Sequence, residues 1–572
     1  MSAWRERSGG EILVANLLAQ GVDLAFGVPG ESYLAVLDAL ADVEDRLRFI
    51  VCRQEGGAAY MAEACGKLTG RPGVAFVTRG PGATNAAVGV HTAMQDSTPM
   101  VLFVGQVGGD FVDREAFQEV DYRRMYGSVA KWATQIDRAE RIPEYVAHAF
   151  RIAMSGRPGP VVLALPEDML TAHARCTDAP RVEPVVTAPI AADADAAHAW
   201  LAAARAPLVI AGGSRWDASA RAALARFARA HALPVACAFR RQELFDHRDP
   251  HYAGDVGIGI DPKLAARVRE ADVLLVLGER LGEMTTSGYT LLEVPVPRQQ
   301  VIHVHPSPDE LGRVYQPALA IAATPGEFLA AMEARAPVAG DARQATLQAM
   351  AAERAAWRAP RAVPGAVDLW QIVLALDEHL PDDAIVTNGA GNYATWMHRL
   401  FRYRELGGQL APYSGSMGYG VPAAVAAKLV HPARTVVSWN GDGCFLMNGQ
   451  ELATAVQYGL GVLFVVIDNG MYGTIRMHQE RTYPSRVSGT SLRNPDFAAL
   501  ARAYGAQAET VLRTAEFMPA VTRALAATRA GMPALLHVRV DPQAITMTAT
   551  LDALRAQGEA AQAQRRGPAT GP

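Results

Sequence analysis

Residues 435–469 constrain this chain's fold more tightly than any other stretch. A β-branched run (Thr435 to Val437) leads into the glycine turn Trp439-Asn440-Gly441-Asp442-Gly443-Cys444. An apolar-periodic helix from Phe445 to Tyr458, carrying Gly449-Gln450-Glu451-Leu452, follows, and a second buried strand, Val462 to Ile467, ends in Asp468-Asn469. Two hard oxygen ligands, Asp442 and Asn469, are then 27 positions apart at successive strand ends. They can converge beside a helix N-terminus whose free N–H groups, opened by Gly441 and Gly443, favour an anionic diphosphate. One carboxylate, one amide oxygen, a nearby backbone carbonyl and two phosphate oxygens make an octahedral Mg²⁺ site. A Gly-Asp-Gly turn alone is an ordinary surface turn; the ordered strand, helix, strand and Asp-Asn ending carry the metal reading.

At 572 residues the chain exceeds what one hydrophobic core serves, so about three domains of ~170 to 200 residues are expected. A formal net charge of −4 without a basic block gives no electrostatic case for nucleic acid or an anionic membrane. The five cysteines (Cys52, Cys65, Cys176, Cys237, Cys444) are scattered and lack CxxC spacing, which excludes a disulfide framework or zinc site and fits a reducing cytoplasm. Met1 to Gly10 is polar, without an apolar signal region. No apolar run approaches the ~20 residues of a membrane span.

Two Ala/Pro/Asp-rich stretches, Thr171 to Ala197 and about Ala336 to Pro364, read as linkers, the latter partly helical. Between them, buried-type strands at Leu208 to Gly213, Pro234 to Ala238, Asp272 to Gly278 and Val301 to His305 alternate with helices such as Ala218 to Ala230, a doubly wound α/β unit. The same alternation on either side predicts an α/β fold of three successive doubly wound parallel-sheet domains. Their expected bounds are 1–175, 190–340 and 365–545, followed by a tail, 546–572, read as a terminal helix with a frayed end from Gly567 to Pro572 or, alternatively, as a lid over the active site.

A second motif lies near the N-terminus. Arg53-Gln54-Glu55-Gly56-Gly57 follows the apolar run Phe49 to Val51 and precedes a helix-like stretch ending near Gly66. Glu55 therefore falls at a strand-to-helix junction, where a carboxylate by itself merely complements the helix dipole. Taken with Thr78-Arg79-Gly80-Pro81-Gly82 and the downstream metal motif, the segment resembles the acetolactate synthase and pyruvate oxidase group of thiamin diphosphate (ThDP) enzymes. Ordered matches extend from Gly27-Val28-Pro29-Gly30 through Phe117-Gln118-Glu119 and Gly156-Arg157-Pro158-Gly159 to Gly415-Ser416-Met417-Gly418, and reach about Asp541.

The resemblance implies a ThDP-binding fold and a ThDP- and Mg²⁺-dependent enzyme, a homodimer or homotetramer with active sites at subunit interfaces. Glu55 is the expected cofactor-activating carboxylate and Gln118 a residue near the reacting carbon. The resemblance assigns cofactor binding to Asn392, Gly415, Met417, Gly441, Asp442, Gly443, Cys444, Asn469 and Met471, with Asp442, Asn469 and Met471 as metal ligands. Gly415 is positioned like the residue whose carbonyl accepts from the cofactor's 4′-amino group, and Met417 like the prop that bends the cofactor. Gly30, Glu31, Arg476 and His478 fall where the substrate is expected, Glu31 standing where the family has a small residue. Lys131 and His91 read as structural.

The central domain departs from the family pattern. Gly278-Glu279-Arg280-Leu281 replaces an Arg-Phe-Asp-Asp-Arg segment, and His305 stands where an acidic residue is usual. A ribose acceptor is thereby lost, although Arg157, Gly212, Gly213, Gly278 and Arg280 could cradle a diphosphate, so FAD stays open. The leading expectation is an acetolactate synthase-like carboligase that decarboxylates a small, pyruvate-like 2-oxo acid and transfers the enamine to a carbonyl acceptor. A ThDP-dependent decarboxylase or lyase without acetolactate synthesis, and a non-catalytic ThDP-binding paralogue, are the alternatives.

Overall fold

A computed structural model of the chain describes residues 6–338 and 340–566; the first five residues and the end from Gly567 to Pro572 lie outside them. The chain forms two compact units, Met1–Trp357 with Tyr403–Gln409, and Arg358–Arg402 with Leu410–Pro572.

The first unit holds two six-stranded sheets. In the N-terminal sheet the spatial order is Arg48–Val51, Leu24–Gly27, Gly73–Val77, Met100–Gln106, Pro160–Pro166 and Trp132–Gln135, with every neighbouring pair parallel. Numbered along the chain, that order is 2-1-3-4-6-5. Gly73–Val77, Met100–Gln106 and Pro160–Pro166 are buried at every position, because a parallel sheet is covered by helices on both faces and needs unbroken apolar runs. Ile12, Leu13 and Leu17 of the helix Gly9–Ala19 pack with Val146 and Phe150 of Ile142–Met154 against Val74, Phe76, Val101 and Phe103.

The central sheet runs Tyr252–Asp255, Val235–Cys237, Pro207–Ala211, Val273–Leu277, Gln300–Val304, Leu319–Ile321. Its chain order, 3-2-1-4-5-6, is that of dinucleotide-binding sheets. The two edge strands, Tyr252–Asp255 and Leu319–Ile321, have no counterpart in the sequence-based expectation; each is too short to show periodicity. The expected linker 171–197 is more structured than its composition suggests. His173–Ala174 pairs antiparallel with Arg7–Ser8, and the helix Ala191–Ala203 begins inside it, burying Ala194, Ala197 and Leu201.

The third sheet is ordered Gln409–Leu410, Ile385–Asn388, Val436–Gly441, Leu463–Asp468, Ala534–Arg539, Gln507–Val511, again 2-1-3-4-6-5. Its strand-end segment corrects one expectation: the helix read from Phe445 to Tyr458 is two helices, Asp442–Asn448 and Glu451–Gln457. The break falls at Gly449-Gln450. Gly449 lies so close to the Phe445 ring that a Cβ there would come within 2.7 Å of it, and the Asn448 side-chain amide turns back to the Gly418 carbonyl at 3.1 Å. The first helix begins at Asp442 itself, so the carboxylate heads it.

Close backbone packing places the helix Glu55–Thr69 on the N-terminal sheet, where a Cβ on Gly73 would sit 1.8 Å from the Ala62 carbonyl oxygen. Gly73→Ala is therefore expected to push that helix outward and to cost about 1–3 kcal/mol, the usual range for overpacking, seen as a lower midpoint in thermal unfolding. A parental midpoint would show that the helix can retreat freely.

Candidate active site

Glu55 is the first residue of its helix, directly after the strand Arg48–Val51, and Gln54 caps the helix by accepting from the Gly57 N–H at 3.0 Å. The Glu55 carboxylate is half-buried. Asn85 donates to its Oε2 at 3.0 Å, and Oε1 faces Gly82. Gly80 opens the neighbouring helix Pro81–Asp96, and the backbone and Cβ of Gln118 pack directly on it. Gln118 itself has a left-handed backbone, φ 65°. Its loop is tied by Glu119, which accepts from the N–H groups of Asp113 and Ala116 at 2.8 and 3.0 Å. The structure thus brings Glu55 and Gln118 to one edge of the N-terminal sheet. Gly30 reaches the same edge, packed against Thr78 so tightly that a Cβ would lie 2.5 Å from the threonine's own. Glu31 is largely exposed and accepts from Arg79 at 3.3 Å, while Arg79 also reaches Glu167 at 2.9 Å. Lys131 donates to the Ile152 and Ser155 carbonyls. Burial, then the nearby Arg157, lowers its ammonium to about 8, in keeping with a structural lysine.

In the second unit Asp442 is 4% exposed at the N-terminus of Asp442–Asn448. Its Oδ1 accepts from the Gly443 N–H at 2.9 Å. Its Oδ2 accepts from Asn494 at 2.7 Å and from the Gly470 N–H at 3.0 Å. Asp468, one strand over, uses the same two donors: Asn494 at 2.8 Å and Gly470 at 3.0 Å. His537 holds the other Asp468 oxygen at 2.8 Å. Burial, together with the Asp468 charge, holds the Asp442 carboxyl above the usual carboxylate range, against the bonds from Gly443 and Asn494. For Asp468, burial acts upward too, but the bonds from His537, Asn494 and Gly470 outweigh it and lower the carboxyl. Two carboxylates sharing donors beside a helix N-terminus form a field that a small dication would relieve. Asn469 is half-buried, and its Oδ1 accepts from the Met471 N–H at 3.2 Å, leaving that oxygen a second lone pair. Gly443 packs on Tyr472. The Cys444 sulfur accepts from the Tyr393 hydroxyl at 3.0 Å and the Gly418 N–H at 3.2 Å. Gly415 is exposed at φ 66°, with open space where a Cβ would point, and Met417 is half-buried two residues on. Among the described residues no three His, Cys, Asp or Glu side chains cluster as a metal site; an Asp with an Asn amide and a backbone oxygen lies outside that pattern.

Three residues read from sequence as cofactor or substrate contacts adjoin this centre through the helix Gly473–Thr482. Asn392 receives the Thr474 hydroxyl at 2.9 Å and donates to the Ile545 carbonyl at 3.0 Å, so its amide serves this packing. His478 is exposed. The Arg476 guanidinium bonds Glu480 at 2.9 Å. Glu480, 1% exposed, also takes both forks of Arg555 at 3.0 Å and the Ser485 N–H at 2.9 Å. Arg555, working against burial and joined by Ser485 and Arg476, brings its carboxyl down to about 2. The tail helix Leu551–Arg566 is thereby latched onto Gly473–Thr482. Leu551 and Leu554 pack with Met477 and Ile545, and Gly558 allows contact so close that a Cβ would fall 2.3 Å from the Glu480 carbonyl.

The central sheet's crevice does not fit an FAD diphosphate. In its strand order a diphosphate lies on the helix following the first strand, yet that helix, Ala218–His231, is capped by the Asp217 carboxylate accepting from Ala220 at 2.7 Å. The Gly212 and Gly278 N–H groups are spent on the Leu277 and Val304 carbonyls, and a Cβ on Gly213 would fall 1.8 Å from the Gly278 oxygen. Arg157 is committed to Glu310, Ser97 and the Met94 carbonyl, and Arg280 bonds the Gln95 carbonyl. His305 is buried, burial and the neighbouring His303 lowering it to about 4, so it is a neutral ring bonded to Ser307.

With this geometry, comparison with known proteins defines the class. The N-terminal TPP binding, central and C-terminal TPP binding domains of thiamine pyrophosphate enzymes match residues 7–125, 194–332 and 389–538. The chain belongs to the thiamine pyrophosphate enzyme family. Within it, the chain is 33% identical over 539 residues to the acetolactate synthase isozyme 2 large subunit of Escherichia coli, covering 93% of this chain and 96% of that protein. It is 34% identical over 525 residues to the acetolactate synthase large subunit of Parasynechococcus marenigrum, covering 87% and 82%. The probable acetolactate synthase large subunit of Methanocaldococcus jannaschii is 31% identical over 574 residues, covering 93% and 92%. No helix among the described residues is long and apolar enough to cross a membrane.

Sequence reasoning missed Asp468, Asn494, His537 and Glu480. Asp468 stood next to the predicted ligand, but nothing in the spacing announced a second carboxylate facing the first. The Glu480 latch gives a testable expectation. Glu480→Gln removes charge-assisted bonds worth about 1.5–3 kcal/mol each, so at neutral pH the tail helix should release and become protease-sensitive. A carboxyl held below its ordinary value stabilises above that value and loses its effect as pH falls toward the folded one. The difference between parent and variant, followed by thermal unfolding, should therefore shrink between about pH 4.5 and pH 2, the range over which this carboxyl gains its proton. Equal proteolysis of parent and variant at pH 7 would show that the latch does not hold the helix.

Proposed function

We propose that this chain is a ThDP- and Mg²⁺-dependent carboligase, which decarboxylates a small 2-oxo acid and joins the remaining fragment to a carbonyl acceptor. The observation that carries the reading is the arrangement at Asp442: a buried carboxylate heading a helix, a second carboxylate beside it and the Asn469 amide oxygen on the next strand end. Such a set suits a hard cation bound with a diphosphate. The similarity to acetolactate synthase large subunits supports C–C bond formation as the reaction class.

On this reading Asp442, Asn469 and Met471 would hold the metal, and the helix N-terminus at Asp442-Gly443-Cys444 would face the diphosphate. Gly415 would offer its carbonyl to the pyrimidine amino group, and Met417 would support the cofactor. ThDP, bound there, would supply a nucleophilic carbon and an electron sink for decarboxylation of a 2-oxo acid. Glu55, oriented by Asn85, holds a proton at the pyrimidine ring nitrogen. Gln118, fixed against Gly80, orients the substrate carbonyl, and Gly30 and Glu31 shape the pocket. The reading includes no flavin, because the central crevice is filled by its own ion pairs and backbone bonds. Two copies complete the enzyme: Leu34, Phe117, Leu446 and Met447 are exposed apolar side chains suited to a subunit interface.

Glu55→Gln keeps shape and hydrogen bonding but cannot share a proton. ThDP should still bind, while exchange of the cofactor's C2 hydrogen slows by about 10²–10⁴-fold, the usual acid–base contribution. Exchange at the parental rate in the saturated variant would remove Glu55 from catalysis.

The experiment that tests the reaction is a panel of 2-oxo acids with CO₂ release and coupled products measured together. Because His478 is exposed and the resemblance puts it near a place where the family carries a tryptophan, the expected pattern is weak pyruvate self-condensation and better turnover with a bulkier or more polar carbonyl acceptor. His478→Trp should narrow the acceptor range more than it alters decarboxylation. Efficient 2-acetolactate formation from pyruvate alone would defeat this acceptor assignment, and CO₂ release without any coupled product would favour the simple decarboxylase.

A further inference from the structure

We propose that Asn494 is a positioning residue for the metal: its side-chain amide, backed by the Asp468–His537 pair, holds the Asp442 carboxylate where it can bind the cation. The inference rests on the Mg²⁺–diphosphate reading of the Asp442 site and names the groups that keep that site in shape. Asn494 donates to both carboxylates, at 2.7 Å to Asp442 and 2.8 Å to Asp468. A neutral amide between two negative groups offsets their repulsion without displacing a cation. With the Gly470 N–H bonded to the same oxygen of each, two donors lock both carboxylates into one orientation. Among the described residues, Asp442 Oδ1 accepts from the adjacent Gly443 N–H alone, and an acceptor oxygen keeps further lone pairs for a metal.

Asn494 belongs to neither strand end that carries the site. It lies in the loop after Leu492, whose N–H bonds the Gly470 carbonyl at 2.8 Å, and immediately before Pro495-Asp496. There Asp496 caps the helix Phe497–Tyr504 by accepting from Ala499 at 3.0 Å. Its place is thus set by a helix cap and a loop-to-loop bond. His537 is oriented in the same independent way: the Phe497 ring packs edge-on against it at 5.1 Å while its Nε2 holds Asp468 at 2.8 Å. Helix, asparagine, paired carboxylates and histidine form one connected support that leads to Asp442.

Groups that orient a metal ligand typically contribute 10–100-fold in metal affinity. The test is a Mg²⁺ titration of ThDP binding, followed by quenching of intrinsic fluorescence on the full-length protein, with kcat measured alongside. Asn494→Ala is expected to raise the Mg²⁺ half-saturation by about 10–100-fold, and its kcat should recover as Mg²⁺ is raised. His537→Phe should shift half-saturation in the same direction, and His537→Gln, which retains a donor to Asp468, should restore it. This second pair decides the question if Asn494→Ala does not fold. Asp442→Ala separates the inference from the reading beneath it. If Asp442→Ala loses Mg²⁺-dependent binding while Asn494→Ala and His537→Phe titrate like the parent, the positioning role is overturned and the site stands. A kcat loss in Asn494→Ala that saturating Mg²⁺ does not restore overturns it too. Parental titration by Asp442→Ala overturns both.

Discussion

In a parallel sheet every strand ends on the same edge, so polar groups at those ends are brought together by the backbone before any side chain is chosen. That constraint governs this protein. Glu55 follows one strand, the Gly80 turn another, and Asp442 and Asn469 successive strands of a third sheet. Burial along the strands, with every position of Val436–Gly441 and Leu463–Asp468 inside, fixes the register that puts Asp442 beside Asp468. The turns carry the chemistry, and the apolar strands make their placement reproducible.

Much of this was legible in the sequence because glycine turns after apolar runs have few alternatives. Three α/β layers, the strand-to-helix position of Glu55 and the succession of Asp442 and Asn469 all follow from local pattern. What stayed hidden depends on contacts between distant segments. Asn494 reads as an ordinary loop residue before a helix cap, since the carboxylates it bridges lie 52 and 26 positions away. Arg476 reads as a substrate-facing cation, and only the fold shows it bonded to Glu480, which the distant Arg555 also holds. The break at Gly449 likewise came from a ring and an amide packed on neighbouring turns, which helical periodicity cannot register.

The central domain keeps the strand order of a nucleotide-binding sheet without a crevice to match. Its glycines press against each other's backbone, an aspartate occupies the helix terminus that would receive a phosphate, and the arginines have internal partners. Topology there serves packing: the strands and the helix Ala218–His231 enclose an apolar core that includes Leu224, Phe227, Val209 and Leu275. Function has to be argued from such groups, since the sheet order alone would have suggested a dinucleotide.

The outer two sheets share one strand order, 2-1-3-4-6-5. The same path from strand to strand is used twice in the chain, and a shared sheet order does not by itself decide what the turns do. In corresponding places the two sheets differ: the turn after the second strand carries Glu55 in one and the glycine loop around Gly415 in the other, while the turn after the third carries Arg79-Gly80 in one and Gly441-Asp442 in the other. One strand path thus offers the same open turns twice, and what each turn holds is decided by its own residues.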